Sequence, residues 1–182
     1  MSSSRGFFGI GIEGVSKPMN AGNLFRTAHA FGASFVFTIN AEYAVRKAKS
    51  DTSLAPKNIP WYDYETIADI QMPKHCKIVG VELLDEAEEL PSFYHPLSAM
   101  YVLGRERGSL SPAMREKCDY FIKIPTKFCL NVATAGAIVM YDRIVAHGRF
   151  AHRPTSELGK AVALPDHVQG KPLNRTLRNF ED

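Results

Sequence analysis

Cysteine is scarce in this chain of 182 residues: Cys76, Cys118 and Cys129 are widely spaced and odd in number. Such a set argues against a disulfide framework and for a reducing cytoplasm. No CxxC or HxxxH pair occurs, so no structural zinc or other metal site is expected. No apolar run is long enough to span a membrane, and the opening MSSSRGFF has no signal-peptide apolar core. Internal repeats are missing too. Charge of neither sign dominates: the formal net charge of +3 permits a nucleic-acid partner without demanding one. What is present is ordinary for a soluble globular protein, with 45% hydrophobic and 23% charged residues. The length is that of about one domain and suffices to bury a sizeable core.

Short β-rich runs alternate with helical patterns. Phe7–Ile12, Ser34–Ile39, Lys77–Leu83, Ala99–Gly104 and Tyr120–Pro125 are apolar strand candidates. Helices are expected from about Asn20 to Phe31 and over Leu130–Gly148. In the latter, Val132, Ala135, Val139 and Ile144 recur at helical spacing and Gly148 suits a helix stop. Apolar strands alternating with helices indicate an α/β fold, a mostly parallel sheet covered on both faces. The stretch Ala41–Tyr62 mixes Arg46, Lys47, Lys49 and Lys57 with two prolines and reads as a loop with a helical turn. From Arg149 the periodicity is lost among basic residues, prolines and glycines. Residues 1–148 are therefore read as the domain and 149–182 as a basic tail or arm.

The segment GIGIEG, Gly9–Gly14, fits the dinucleotide fingerprint GxGxxG. A true fingerprint follows a strand and opens a helix. Here the glycines fall inside the strand candidate, Pro18 delays any helix, and no acid ends the second strand to hold a ribose. A nicotinamide oxidoreductase is the reading these features disfavour. Glycines that let a neighbouring element come close explain the run better.

Three later features belong together. On the first helix, Asn20, Asn23, Arg26 and Thr27 share a face away from Ala21, Leu24, Ala28 and Phe31. An arginine there is ordinarily just a solvated one. In YVLGRERGSLSP, Tyr101–Pro112, a strand runs into a glycine-rich loop containing Glu106. In IPTKFCLNVATAGA, Ile124–Ala137, another strand ends and a short loop feeds a helix with Asn131 at its start. Ligands of open parallel sheets bind outside the carboxyl ends of strands, where both loops fall. The small residues Ala133, Ala135, Gly136 and Ala137 suit close helix packing.

In order and distance, these segments resemble the SpoU (TrmH-type) RNA methyltransferases of the SPOUT superfamily, over about residues 7–147. Asn20 and Arg26 match the first motif, LGRERGSL the second, and IPTKFCLN with the small residues after it the third. Two positions depart from the pattern: Cys129 stands where serine is common, and Gly108 comes one place early with Ser109 before Leu110.

The resemblance implies a SPOUT-type α/β fold with a C-terminal deep trefoil knot, a homodimer whose active site spans the interface, and S-adenosylmethionine as cofactor. It implies methyl transfer to a ribose 2′-hydroxyl of RNA, with Arg26, Asn20, Glu106 and Asn131 as the catalytic set. Cofactor-binding positions would be Leu103, Gly104, Ile124, Cys129 and Leu130, with Val81 as a further one. A chain that starts its first strand so early is not expected to carry an additional N-terminal RNA-binding domain, which tilts the expectation to tRNA over rRNA. A catalytically inactive RNA-binding module of the same fold is the alternative. Cys129 is expected to fill the serine's place; a covalent thiolate, as used to methylate base carbons, is the minor option.

Overall fold

The computed structural model describes residues 6–42, 59–105 and 108–148. Within them lies a seven-stranded, all-parallel sheet. The strands are β1 (Phe8–Glu13), β2 (Phe35–Ile39), β3 (Trp61–Tyr64), β4 (Lys77–Val81), β5 (Glu88–Glu89), β6 (Ala99–Leu103) and β7 (Tyr120–Lys123). Their spatial order is β3-β2-β1-β6-β4-β7-β5. The helices are α1 (Pro18–Ala30), α2 (Pro112–Lys117) and α3 (Val132–His147). The parallel sheet expected from the alternation is therefore present, as are all five anticipated strands, most of them a residue or two shorter.

The strand β1 explains its own glycines. Side chains alternate between faces. Phe8, Ile10 and Ile12 enter the core that includes Leu24 and Ala28 of α1 and Val139 and Met140 of α3. Gly9 and Gly11 face the opposite core, where Phe35, Phe37, Met100, Val102 and Met114 collect. A Cβ on Gly9 would strike the ring of Phe35, and one on Gly11 would strike the ring and carbonyl of Phe37. The glycines admit aromatic rings from β2 and serve packing. Gly136 of α3 plays the same part against Leu24, so the small residues do seat α3 against α1.

Two expectations change, and a third feature was not anticipated. Pro18 opens α1 as its first residue, because the N–H that proline lacks has no intrahelical partner there anyway. Trp61 and Tyr62 begin the edge strand β3 and do not belong to a loop; prolines upstream and the polar Asp63 hid so short a strand. Third, α3 buries Arg143 on its core face. Its guanidinium donates to the carbonyls of Pro96 (2.6 Å) and Leu97 (2.7 Å) and to Tyr101 Oη (3.1 Å). The Tyr101 hydroxyl also meets His95 Nδ1 (2.6 Å), and His95 Nε2 meets Asp142 Oδ2 (2.9 Å). This network ties α3 to the segment entering β6. Burial pushes the Tyr101 hydroxyl up to about 12, against the pull of Arg143. The residues expected to form a basic arm, 149–182, and the basic residues of the 43–58 stretch lie outside the described residues.

Candidate active site

A cavity of about 390 Å³ opens at the carboxyl ends of β6, β4 and β7. That is where an open parallel sheet places its ligands, and the volume suits a small molecule. Each wall begins as a strand and ends in a loop the strand positions. Val81, Glu82 and Leu83 leave β4; Leu103, Gly104, Arg105 and Gly108 leave β6; Ile124, Thr126, Cys129, Leu130 and Asn131 leave β7. Lys17 and Asn20 close the side nearest α1, and Val132 and Ala135 close the side nearest α3.

Two carboxylates hold the β6 loop where it returns to the body. The Leu110 N–H donates to Glu82 Oε2 (2.7 Å), and the Ser111 N–H donates to Glu13 Oε2 (2.9 Å). Glu82 Oε1 also accepts from the Leu83 N–H (3.2 Å), so one side chain joins the β4 and β6 loops. Leu110 is held at its carbonyl as well, by Arg115 Nε (3.2 Å). Ser111 then caps α2, its hydroxyl accepting from the Met114 N–H. Glu13, the acid inside GIGIEG, is thus a buried clamp on the second of the three segments. Lys123 Nζ folds the β4 loop, donating to the carbonyls of Leu84 (3.1 Å) and Asp85 (3.0 Å).

Asn131 caps α3. Its Oδ1 accepts from the Ala133 N–H (2.9 Å) and the Thr134 N–H (3.3 Å). The cap aims its amide nitrogen at Asn20 Oδ1, 3.1 Å away. Asn20 is buried in the first turn of α1. The first and third segments therefore meet through a pair of carboxamides, one from the start of each helix.

All six positions expected to bind cofactor, Val81, Leu103, Gly104, Ile124, Cys129 and Leu130, line this one cavity, as do Asn20 and Asn131. Arg26 does not line it. The face expected to be shared by Asn20 and Arg26 is not shared: six residues at about 100° each turn Arg26 about 120° away and about 9 Å further along the axis, so Asn20 is buried on the side of Leu24 while Arg26 stands exposed. Glu106 lies outside the described residues, between Arg105 and Gly108 of the cavity wall. Lys17, Glu82, Arg105 and Lys123 were not anticipated. Glu82 had a signal, as an acid directly after a strand. Among the described residues no cluster of His, Cys, Asp and Glu could hold a metal ion.

The SpoU rRNA Methylase family model matches residues 8–141. The chain belongs to that family. The three segments singled out in the sequence all contribute to the cavity wall, the first through Asn20, the second through Leu103, Gly104, Arg105 and Gly108, and the third through Ile124 to Ala135. A Staphylococcus haemolyticus protein assigned to the TrmH family of tRNA/rRNA methyltransferases is 26% identical over 141 residues, covering 72% of this chain and 55% of that protein. The mouse tRNA (guanosine(18)-2′-O)-methyltransferase is 22% identical over 139 residues, which is 70% of this chain and 9% of the mouse protein. The chain thus spans about half, or much less, of the length of these relatives. In fold, the domain resembles the AdoMet-bound rRNA methyltransferase of Sinorhizobium meliloti. The TM-score is 0.69 at 19% identity, with 80% of this chain and 58% of that one covered.

Proposed function

We propose that the chain is an S-adenosylmethionine-dependent RNA methyltransferase acting on a ribose 2′-hydroxyl, with tRNA as the substrate class. The observation that carries this reading is that the three segments resembling the family's motifs each contribute residues to one cavity with mixed walls. Val81, Leu103, Ile124, Leu130, Val132 and Ala135 offer apolar surface to a flat heterocycle. Glu82, Asn20, Asn131, Lys17 and Arg105 offer polar groups for an amino-acid moiety and hydroxyls. A handful of polar groups placed among apolar ones is what a cofactor of this kind requires. The 2′-hydroxyl specificity draws on the mouse relative's name and on the motif set.

S-adenosylmethionine, when bound, supplies a methyl group on a good leaving group. The protein's tasks are then to place a ribose oxygen in line and to stabilise the charge that develops as its proton leaves. Asn20 and Asn131, locked to one another, present a fixed polar edge at the cavity wall beside the cofactor loops. Arg26 is assigned the developing alkoxide and the adjacent phosphate, for which a guanidinium fork is suited. Its place on α1 is consistent with service to the site of a second subunit. The proposed enzyme is accordingly a homodimer with its active site across the interface, cytoplasmic, and threaded at its C-terminal part as a deep trefoil knot. Such knots are nearly absent among folds, and the proposal rests on family membership alone. Glu106 is placed with the loop or the substrate ribose. The test is isothermal titration with S-adenosylmethionine followed by mass-spectrometric mapping of 2′-O-methylated nucleosides in RNA from a deletion strain. Cofactor binding together with one lost 2′-O-methyl mark in tRNA is expected. An unchanged RNA would leave an inactive binding module.

A further inference from the structure

The loop between β7 and α3 carries an apolar ring with no core to enter. Phe128 is 76% exposed, although the residue after it, Cys129, and one shortly before it, Thr126, both line the cavity. Leaving a large apolar side chain in water forgoes the sizeable gain of its burial. The loop is also held in shape. Thr126 Oγ1 lies 3.0 Å from the carbonyl oxygen of Phe128 and 3.4 Å from that of Ile124, bridging the loop at the base of the ring. Among the described lining residues Lys17, Arg105 and Lys123 are the cations and Glu82 the one carboxylate, so cations outnumber carboxylates there. Lys127 adds a charge next to the ring.

An exposed ring on a braced loop, set among these cations, has the two elements of a single-stranded nucleic-acid platform: a face for a base and cations for the backbone. We infer that Phe128 stacks on a nucleobase of the substrate RNA, at or next to the nucleotide whose ribose enters the cavity. The inference rests on the proposed RNA methyltransferase reading. Phe128 is thereby a substrate-positioning residue. Stacking tolerates any base, so Phe128 supplies affinity and register, and sequence choice falls to other contacts.

The experiment compares the full-length wild type with Phe128→Ala, Phe128→Leu and Phe128→Trp. The RNA probes are a fluorescein-labelled single-stranded RNA oligonucleotide and total tRNA from a deletion strain. Cofactor affinity is read by calorimetry and solution mass by light scattering. Removal of one stacking partner should weaken RNA binding and raise the KM for tRNA by roughly tenfold. The S-adenosylmethionine Kd and the solution mass should match wild type. Phe128→Trp should restore binding, whereas Phe128→Leu, apolar but without a π-face, should not. Rescue by leucine equal to that by tryptophan overturns the inference, and so does a changed solution mass in Phe128→Ala, which would make the ring an interface residue. A wild type that binds cofactor and RNA, with Phe128→Ala unaffected, overturns this inference alone. A wild type that binds neither overturns the reading on which it rests.

Discussion

Replacement of Glu82 by alanine should damage stability and cofactor binding together. The Glu82 carboxylate accepts the Leu110 N–H at 2.7 Å and the Leu83 N–H at 3.2 Å. Leu110 is only 2% exposed, so its N–H loses its acceptor where water does not replace it readily. An orphaned buried donor costs about 1–3 kcal/mol, and hydrogen bonds to a charged acceptor sit at the upper part of the usual range. A loss of about 2 kcal/mol is expected, which at a urea slope of about 2 kcal/mol per molar lowers the unfolding midpoint by about 1 M. Leu110 also anchors the loop that begins at Gly104, where a Cβ would stand 3.2 Å from the Leu110 nitrogen. The release of that anchor loosens two walls of the cavity at once, so S-adenosylmethionine affinity should fall by about tenfold, equivalent to about 1.4 kcal/mol. Glu82→Gln keeps an acceptor oxygen and should lose less of both. Urea unfolding followed by circular dichroism and calorimetric titration at a urea-free reference are the assays. A Glu82→Ala protein with the wild-type midpoint, or one that is destabilised yet binds cofactor normally, would refute the reasoning.

Arg26→Ala should reduce methyl transfer by about 10²–10³-fold, as expected when a donor to developing charge is removed, with cofactor affinity nearly unchanged; turnover above about a tenth of wild type contradicts the role given to Arg26. Burial pushes the Cys76 and Cys118 thiols up to about 11 and about 12, whereas Cys129 is exposed at the cavity. A thiol reagent should therefore modify Cys129 first, S-adenosylmethionine should slow that reaction, and Cys129→Ser should keep most activity; total loss of activity in that variant would favour a covalent thiolate. Arg143→Met leaves the carbonyls of Pro96 and Leu97 and the Tyr101 hydroxyl without their buried partner, and should cost about 3 kcal/mol, lowering the thermal midpoint by roughly 10 °C; a midpoint within about 2 °C of wild type contradicts this. Burial raises the Asp119 carboxyl, but hydrogen bonds from Lys77 and the Ile78 N–H outweigh it and hold the group below its ordinary value. With the folded value depressed, its stabilisation is complete above the unfolded value of about 3.9 and is lost as pH falls through the folded one. Asp119→Asn should thus flatten acid denaturation below about pH 4, and an unchanged acid limb counts against the assignment.

Much of the cavity could be read in advance because its walls are strand ends, and strand ends follow from hydrophobic patterning. Leu103, Gly104, Ile124 and Leu130 were named as the family resemblance implies; patterning alone supplied the strand ends that the parallel sheet brings to one side. The glycines of GIGIEG were legible as packing devices, since a fingerprint needs a helix after its strand. Glu13 was not legible. Its partner is the Ser111 N–H, and nothing local marks a contact across so long a separation. Arg143 escaped for a similar reason. Arginine is ordinarily a surface residue, and its burial depends on carbonyls presented by the segment entering β6. The strand β3 escaped because four residues on a sheet edge carry too little alternation to rise above their surroundings. Asn20 and Asn131 were named for the roles the family pattern implies. Their direct bond to one another is a tertiary fact, as is the position of Arg26 away from the cavity lining.

The central claim is tested most directly by incubating the purified full-length protein with tritiated S-adenosylmethionine and tRNA from a deletion strain, then digesting the RNA to nucleosides. The account predicts that label enters a single 2′-O-methylated nucleoside and that Arg26→Ala lowers it by about 10²–10³-fold. Label in a base-methylated nucleoside, or none in any RNA by a protein that binds the cofactor, would contradict it.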